Sequence, residues 1–596
     1  MKKISLILFV WLACLEIHGQ TFVSFTETGD TIPLADSILT VNDMRSLYWR
    51  DPGTQPISSL GNIGLAVMPL SFNPLRSFLP ATGSGQGYAL YFPDREDIRF
   101  FNVSAPVSEM RYHSAYGRGQ LFHAYFTQNI TPYWNGFFQY KRINSEGKYF
   151  RQKVQSDNLR FSTSYTDPSS RYNLWFSFDW TKVFPEHNGG LLYDSVFTDN
   201  TESNRRLVEM KLNQTIYRRS RVQANLLHRF RILGDSLGEE GIFIRHKASY
   251  NRIIQTLRST DEILYDIPNY SSTTQDSLFR SYLNNEAWLD FAVGKKLRFD
   301  ISAGIGNRVG TYEGPYWYSA DNTTYLLGEA SVSLSRWELF GSLQQALFGT
   351  FDRSLKYSFG GRFTGKEIQV NLRYDIFQRE QDLFDILYLS NSRIWLNTDF
   401  NPSVGNIIHA DLFFRGFRAG AEISAISDLV FYDQEARPFQ VGETVDYSKF
   451  WGSYHWEVLP HLKWRNQLTI QASTKKDTLY RMPDWVYETW LYTDWDLFRG
   501  NLQAQLGLEY KFFPEFRSYS FDPTTANFYL ANNENQVIGG YHYLTLFGGV
   551  QIGDAKVFLR MENILMGLIP YDYFGAPGYP LPDRVLRVGV KWRFLN

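Results

Sequence analysis

The stretch Val585–Asn596, VLRVGVKWRFLN, ends the chain and alternates in polarity. Even positions 586 to 594 hold Leu, Val, Val, Trp and Phe, whereas Arg587, Lys591 and Arg593 stand between them with one glycine. Successive side chains of a β-strand point to opposite faces. The pattern therefore predicts a strand with an apolar environment on one face and a water-filled space on the other.

The composition limits what such strands can build. Phe, Tyr and Trp make up 17% of the 596 residues, although the mean hydropathy is −0.32. So many aromatic rings in a polar chain indicate apolar faces one residue thick rather than thick apolar cores. The formal net charge of −1 excludes the strongly basic surface that nucleic-acid binding requires.

The start of the chain has the three parts of a secretory signal peptide. Two lysines precede an apolar stretch, and a small-residue cleavage site ends at Gly19. We therefore predict a cleaved signal peptide at residues 1–19, with a lipoprotein signal at Cys14 as the weaker alternative. Cys14 is the only cysteine, so the exported chain is predicted to have no disulfide, thiol nucleophile or cysteine metal ligand.

Segments that alternate like the last strand recur along most of the chain. Each has about 9–11 residues, the length that a tilted membrane-spanning strand needs. No later run reaches the roughly 18 apolar residues of a spanning helix, so a membrane-spanning form has to be a closed β-barrel. Short turns alternate with long polar links, which predicts short periplasmic turns and long extracellular loops. We predict an all-β, antiparallel up-and-down barrel of about 20 strands, within a range of about 16–24.

The same pattern predicts the domain boundaries. Residues 97–596 form the predicted barrel, and the strand number depends on 431–460 and 474–499, which each fit one more hairpin or none. The polar residues 309–322 are predicted to be a long link. Residues 20–96 alternate poorly and contain Pro-rich and Gly-rich pieces. We predict that they form a non-barrel segment on the periplasmic side or inside the lumen.

A soluble β-sandwich or propeller also has alternating strands. The signal peptide and the lack of a repeat of about 40–50 residues favour the membrane barrel. A further argument is the position of aromatic residues on the apolar face near tight turns, where a membrane-interface girdle lies. The predicted girdle residues are Trp134, Tyr165, Trp337, Trp464, Trp592 and Phe594.

Several stretches together resemble one known family, the Bacteroidota outer-membrane family named "putative porins". They are SSLGNIGLA (58–66), DIRFFNVSAPVSEMRY (97–112), FTQNITPYWN (126–135), GKYFRQ (147–152) and YPLPDRVLRVGVKWRF (579–594). The resemblance runs from about residue 45 to the end and implies passive diffusion of small hydrophilic solutes through a barrel in the outer membrane of a Gram-negative bacterium. The last strand also resembles the signal read by the outer-membrane insertion machinery, although Leu595 and Asn596 follow its final aromatic residue.

A porin needs charged side chains that face a polar lumen. The alternation predicts a pore-lining set comprising Arg298, Asp300, Arg308, Lys356, Arg362, Arg373, Asp375, Lys463, Arg465, Glu509, Arg587, Lys591 and Arg593. Further acids come from the middle strands, whereas the last strands are mostly basic. One interpretation is a weak preference for anions, and the alternative is a salt-bridged wall with no selective role. The link 183–219 is predicted either to fold inward and narrow the pore or to lie outside.

Sequence motifs of catalysis are missing. There is no G-x-S-x-G elbow, H-E-x-x-H motif or P-loop, so we predict no enzymatic activity and no cofactor. His113 and His123 are expected on neighbouring strands, but no third ligand is evident, so no metal site is predicted.

The expected partners are outer-membrane lipid, the insertion machinery and small solutes, and oligomerisation is left open. Two functions compete with the porin hypothesis: a structural or assembly barrel with a plugged lumen, and a TonB-dependent-type transporter that lacks a full plug.

Overall fold

The computed structural model shows a closed barrel of 22 antiparallel strands, each paired with its neighbours in sequence. The last strand pairs with the first, so the barrel has no open edge. The prediction of an up-and-down barrel of about 20 strands is confirmed. The structure describes residues 22–25, 31–33, 55–73, 77–80, 84–115, 119–234, 240–261, 271–532 and 537–595.

The barrel strands are numbered in chain order. They are β1 (Val107–Ala115), β2 (Gly119–Thr131), β3 (Trp134–Ser145), β4 (Val154–Thr166), β5 (Tyr172–His187), β6 (Thr215–Gly234), β7 (Gly241–Ser259), β8 (Thr274–Val293), β9 (Leu297–Gly314), β10 (Trp317–Leu334), β11 (Trp337–Gly349), β12 (Leu355–Thr364), β13 (Ile368–Arg379), β14 (Ser403–Phe414), β15 (Phe417–Ser427), β16 (Val445–Leu459), β17 (Leu462–Ser473), β18 (Trp485–Leu497), β19 (Leu502–Phe512), β20 (Tyr543–Ile552), β21 (Ala555–Glu562) and β22 (Val585–Leu595).

The strand β22 shows how the two faces of the barrel differ. Across the closing pair, Trp592 lies opposite Met110 and Lys591 lies opposite Arg111. Trp592 is 47% exposed on the outer surface, whereas Lys591 is only 7% exposed and points inward. Even positions of β22 therefore face the membrane, and odd positions face the interior.

The two ends of the barrel have different connections. At one end the strands are joined by tight turns, with only two residues between β2 and β3, β10 and β11, β14 and β15, and β20 and β21. The other end carries the long loops 188–214, 380–402, 513–542 and 563–584. In outer-membrane barrels the short turns are periplasmic and the long loops extracellular. We name the two ends accordingly.

Three uncertain regions of the sequence are resolved by the strand order. The prediction of a long link at 309–322 is wrong, because β9 and β10 run through it and only residues 315–316 separate them. Alternation between apolar and polar residues weakens there because the strands are longer than a membrane crossing requires. The ambiguous regions 431–460 and 474–499 each contain one barrel strand, β16 and β18.

The described residues before the barrel are not part of its hydrogen-bonded wall. Phe100–Val103 pairs with Phe22–Phe25, which also pairs with Thr31–Pro33, in a three-stranded sheet. This pairing explains why the first barrel strand begins at Val107 and not at residue 97, where the sequence placed the boundary. We call the described residues 55–73, 77–80 and 84–106 the lumen segment, because their contacts, given below, lie inside the barrel.

The remaining elements are short. The two-stranded pairs are Ile57–Ser59 with Val67–Pro69, Leu387–Leu389 with Ile394–Leu396, Leu429–Tyr432 with Pro438–Val441, Phe516–Arg517 with Val537–Ile538, Ser520–Asp522 with Asn527–Tyr529, and Phe574–Ala576 with Tyr579–Pro580. The helices are 3-10 turns at Gln86–Tyr91 and Arg95–Asp97 and α-helical turns at Ser195–Thr198 and Leu383–Ile386. Within the described ranges, no helix has the length and apolarity needed to cross a membrane.

The outward position of Val588 can be tested by introducing a charge. Val588 lies on the membrane face of β22 opposite Leu559. We expect Val588→Lys to destabilise the folded barrel by about 2–4 kcal/mol in bilayers, because a cation there meets hydrocarbon. Unfolding in urea from lipid vesicles measures this change, with Val588→Leu as the matched control. A loss of stability as small as that of the leucine variant would contradict the face assignment.

Candidate functional site

The lumen is the candidate functional site, and its extracellular half is filled by protein. An apolar core joins the lumen segment to the barrel wall and to two extracellular loops. The lumen segment contributes fully buried Leu60, Tyr88 and Tyr91. Six successive strands, β2 to β7, contribute one inward apolar residue each, and the loops add Phe521, Ala526, Ala576 and Tyr579. Such a core excludes water from this part of the barrel.

The lumen segment lies very close to the wall at Gly64. Its φ of +91° is in the left-handed region, which glycine adopts at little cost. A Cβ atom at this position would lie 2.6 Å from Cγ1 of Val154 on β4. Glycine at this position therefore lets the lumen segment pack against β4.

Side chains of the wall bind the lumen segment through its backbone carbonyl groups. Gln471 on β17 donates a hydrogen bond to the carbonyl of Leu70 (2.7 Å), and Lys511 on β19 donates one to Ile57 (2.6 Å). On the other side of the barrel, Arg219 on β6 donates to the carbonyl of Ser84. Polar residues spread around the barrel therefore satisfy backbone groups that the segment cannot satisfy within a sheet.

The buried pair Tyr88 and His187 connects the segment, the wall and one loop. Tyr88 Oη lies 2.8 Å from Nε2 of His187, and Nδ1 of the same ring lies 2.9 Å from the carbonyl of Pro523. Because a carbonyl only accepts, Nδ1 carries the proton, and Nε2 accepts from Tyr88. The Tyr217 ring stacks on His187 at 5.2 Å between centroids. This network fixes the loop 513–542 to the lumen segment.

A charged cluster around Asp583 holds three extracellular loops together. Asp583 accepts hydrogen bonds from Lys148, Arg205 and Tyr573, with Arg205 Nε at 3.2 Å from Oδ2. These partners belong to the loops 146–153, 188–214 and 563–584. The Arg205 guanidinium also lies over the Phe197 ring at 4.7 Å. We call these four residues, Asp583, Lys148, Arg205 and Tyr573, the loop cluster.

The predicted pore-lining residues point inward, but most of them are paired. Their ion pairs, with N···O distances, are Arg298–Asp300 (2.7 Å), Arg308–Asp321 (2.6 Å), Arg362–Glu338 (3.4 Å), Arg373–Asp375 (2.7 Å), Lys463–Asp494 (2.5 Å), Glu509–Arg560 (2.6 Å), Arg587–Glu562 (3.1 Å), Lys591–Glu109 (3.5 Å) and Arg593–Glu109 (2.8 Å). Arg465 lies over the Trp490 ring at 5.1 Å, and Lys356 is half-buried on β12.

These pairs fall into two environments. Arg308 is 2% exposed and donates to the carbonyl of Pro80 (2.9 Å), so it holds the lumen segment and lines no open pore. In contrast, Arg298 and Arg362, near the periplasmic turns, have side chains that are 37% and 53% exposed. The interior is therefore solvent-accessible at the periplasmic end and filled by protein at the extracellular end.

The six predicted girdle residues lie at the periplasmic ends of their strands. Trp134 and Tyr165 are cross-strand partners, and Trp592 stacks on Phe594 at 4.7 Å between ring centroids. Trp337 packs against Phe363 at 4.6 Å, and Trp464 is exposed near the start of β17. That these residues form a girdle at a membrane interface stays a prediction.

The link predicted at 183–219 is shorter than expected. β5 continues to His187, and β6 starts at Thr215, so the loop spans 188–214. Its Leu191 and Phe197 pack with Tyr573 and Phe574 in the second apolar cluster of the extracellular end. The loop therefore covers the barrel mouth together with loop 563–584.

Among the described residues, no group of three or more His, Cys, Asp or Glu side chains could hold a metal ion. His113 and His123 lie on the neighbouring strands β1 and β2, where His113 packs against Phe558. Sequence reasoning missed Glu109, Glu562 and Asp583, which pair with predicted cations or loop residues. Glu109 and Glu562 lie on β1 and β21, where alternation could have placed them on the inner face, whereas Asp583 lies in a loop, which has no such pattern.

The half-buried Asp385 makes the stability of loop 380–402 depend on pH. Burial raises the pKa of its carboxyl to about 7, and the charge of Asp382 adds to the rise. Because this value exceeds the unfolded value of about 3.9, stability falls as pH rises from about 4 to about 7. We expect Asp385→Asn to raise the melting temperature more at pH 8 than at pH 5. Asp399→Asn in the same loop is the control, and equal shifts at both pH values would contradict the prediction.

These features together define a class: an outer-membrane β-barrel of 22 strands with an N-terminal segment inside its lumen. The chain belongs to the family described as "Putative porin", whose profile matches residues 18–596. No curated protein matches the chain.

Several solved structures have a similar fold. The ferric-catecholate import receptor Fiu from E. coli K12, in its closed form, has a TM-score of 0.62 at 11% identity, with 97% of each chain covered. The siderophore receptor PirA from Pseudomonas aeruginosa has a TM-score of 0.52 at 11% identity, with 82% of this chain and 81% of PirA covered. The FrpB iron transporter from Neisseria meningitidis has a TM-score of 0.55 at 12% identity, with the same coverage. At these identities the likeness shows the fold alone.

Proposed function

We propose that the protein is a gated outer-membrane channel for small hydrophilic solutes, closed at rest by its lumen segment and extracellular loops. The observation that carries the proposal is the apolar core that joins the segment, strands β2 to β7 and two loops. Ions and polar solutes cannot cross such a core at useful rates, because their desolvation is too costly. Solute passage therefore requires the segment or the loops to move.

The polar periplasmic half of the lumen supports a channel rather than a purely structural barrel. Its exposed charged pairs, such as Arg298–Asp300, lie where a solute would travel after passing the closed region. A barrel with only a structural role needs no water-filled interior.

We further propose export through the signal peptide 1–19 into the outer membrane of a Gram-negative bacterium of the Bacteroidota.

A weak preference for anions is part of this proposal. Near the periplasmic end of β22, Arg593 and Lys591 lie 2.8 Å and 3.5 Å from the same acid, Glu109, so two cations stand beside one carboxylate at the mouth. We expect the open form to show a small reversal potential of the anion-selective sign in a KCl gradient. Arg593→Gln should reduce it, whereas Arg336→Gln in a periplasmic turn should not. A clear preference for cations in the wild type would contradict this prediction.

An energy-coupled transporter is the second candidate function. It is favoured by the likeness in fold to Fiu, PirA and FrpB, which are described as an import receptor, a siderophore receptor and an iron transporter. The two candidates differ in their energy requirement. Solute uptake that stops when a protonophore collapses the proton-motive force would favour the transporter, and unaffected uptake would favour the channel.

Planar-bilayer recording of the purified protein tests the proposal. We expect the full-length protein to be closed at low voltage, with rare brief openings, and a form without residues 21–96 to conduct continuously. A full-length protein that is always open would overturn the closed resting state. The absence of current from both forms would point to a structural or assembly role.

A further inference from the structure

The mostly apolar outer surface of β5, β6 and β7 carries three cations toward its extracellular end. On β5 the outward positions from Tyr172 to Trp180 are aromatic or aliphatic, and the next outward residue is Lys182. On β7 an outward series that ends at Tyr250 is followed by Arg252. On β6, Val222 ends the apolar band, and Arg218 lies two outward positions beyond it. We call Lys182, Arg218 and Arg252 the basic rim.

The outward direction of the basic rim follows from its neighbours. On β6 the odd residues Arg219 and Arg221 point inward, where they donate to carbonyl groups of the lumen segment. The even residue Arg218 must then point to the opposite face. Arg218 and Arg252 are both exposed, so their charges lie at the boundary between the apolar band and the extracellular side.

Lys182 and Arg218 share one aromatic neighbour, and Arg252 lies on the adjacent strand β7. The strand register places Lys182 opposite Ser220, and Arg252 opposite Val222. The guanidinium of Arg218 lies over the Phe184 ring at 4.8 Å, and Nζ of Lys182 lies 5.7 Å from the same ring. One aromatic side chain thus orients two like charges on neighbouring strands.

Carboxylates do not neutralise the basic rim. Among the described residues, none has a carboxylate oxygen within 4.0 Å of the cationic groups of the rim. Two acids on this face have other partners. Asp157, opposite Lys182, accepts from Tyr140 (2.9 Å) and lies 3.8 Å from Arg142, and Glu186 lies 3.7 Å from Arg151. The positive charge of this patch therefore remains available for an external anion, unlike the paired charges of the interior.

The basic rim occupies one sector of the barrel. On the other side, the corresponding outward positions near the extracellular ends of β11, β13, β14 and β15 are uncharged: Gln345, Gln378, Asn406 and Ser427. A general need for solubility above the membrane would distribute cations evenly around the barrel. The sector instead indicates one specific anionic neighbour.

We propose that the basic rim binds the phosphorylated headgroup of a glycolipid of the lipid A type in the outer leaflet. The apolar band below the rim contacts the acyl chains, and the rim lies at the height of the headgroup. Arginine binds phosphate oxygens through two parallel hydrogen bonds, and lysine adds a point charge. A phosphate between Arg218 and Lys182 would also relieve the repulsion between these two cations.

Native mass spectrometry of the detergent-solubilised full-length protein tests this proposal. The probes are bisphosphorylated lipid A and the same lipid without phosphates. We expect wild type to retain bound lipid A, and Lys182→Gln/Arg218→Gln/Arg252→Gln to retain roughly tenfold less. The matched control Lys295→Gln/Lys296→Gln/Arg336→Gln removes the same charge from exposed periplasmic turns and should bind like wild type. Heat-modifiable gel migration verifies that each variant is folded.

Each alternative occupant gives a distinct result. Equal retention of lipid A by the wild type and the rim variant would overturn the proposal, as would equal wild-type binding of the phosphate-free lipid. A lipid-independent dimer that only the rim variant loses would instead assign this face to a second copy of the chain. Competition of bound lipid A by inorganic phosphate at an equal concentration would show that the acyl chains contribute nothing. The variant Arg218→Lys keeps the charge but lacks the planar fork, and we expect it to bind at an intermediate level.

Discussion

Deletion of residues 21–96 is expected to convert a closed barrel into an open channel with roughly tenfold more current in planar bilayers. The deletion removes the central part of the apolar core, including Leu60, Tyr88 and Tyr91. The barrel strands begin only at Val107 and close on themselves, so their hydrogen-bonded ladder is left intact. The loop residues Phe521 and Tyr579 lose their inner packing partners and should move.

A single substitution tests the same idea without a deletion. Tyr88 is fully buried, donates to His187 and stacks on Tyr217. Tyr88→Ala should therefore weaken the attachment of the lumen segment by about 3–5 kcal/mol and increase the frequency of channel openings. Tyr316→Ala, in an exposed extracellular turn, is the matched control. If the Tyr88 variant stayed as closed as this control while the deletion conducted, contacts of the lumen segment other than those of Tyr88 would keep the barrel closed.

One physical cause explains why the strands could be predicted from the sequence and the contents of the lumen could not. A residue such as Val588 is set on the membrane face by its position in the strand, and alternation reports that position directly. Alternation also sets Arg308 on the inner face, but it does not tell whether water or protein lies opposite. The carbonyl of Pro80, more than 200 residues earlier in the chain, decides that question. Such contacts have no local pattern.

The same reason explains why residues 20–96 could be placed only as periplasmic or lumenal. Gly64 and the 3-10 turn at Gln86–Tyr91 have neither strand nor long-helix periodicity. Their positions are fixed by the wall and by the loops, through contacts such as Tyr88 with His187. A segment without its own hydrophobic periodicity folds against a surface that already exists. The residues of the segment alone do not identify that surface.

Asp583→Ala is expected to release the extracellular loops. Asp583 is 2% exposed and accepts from Lys148, Arg205 and Tyr573, each in or near a different loop connection. Its loss leaves the Arg205 guanidinium, whose side chain is 1% exposed, without a carboxylate. Removing one partner of a buried ion pair typically costs about 3–5 kcal/mol. Faster hydrogen exchange in residues 146–153, 188–214 and 563–584 would report this loss.

A second substitution separates the loss of a charge pair from a general loss of packing. In Asp583→Ala/Arg205→Met, neither buried charge remains, and methionine can retain the packing against Phe197. We expect this double variant to recover much of the protection from exchange, because the unpaired guanidinium causes most of the penalty. Asp199→Ala, exposed in loop 188–214, should have little effect. If the double variant were no more protected than Asp583→Ala, the loops would be held by the apolar contacts of Phe197 and Tyr573, and the loop cluster would not determine whether the barrel mouth stays closed.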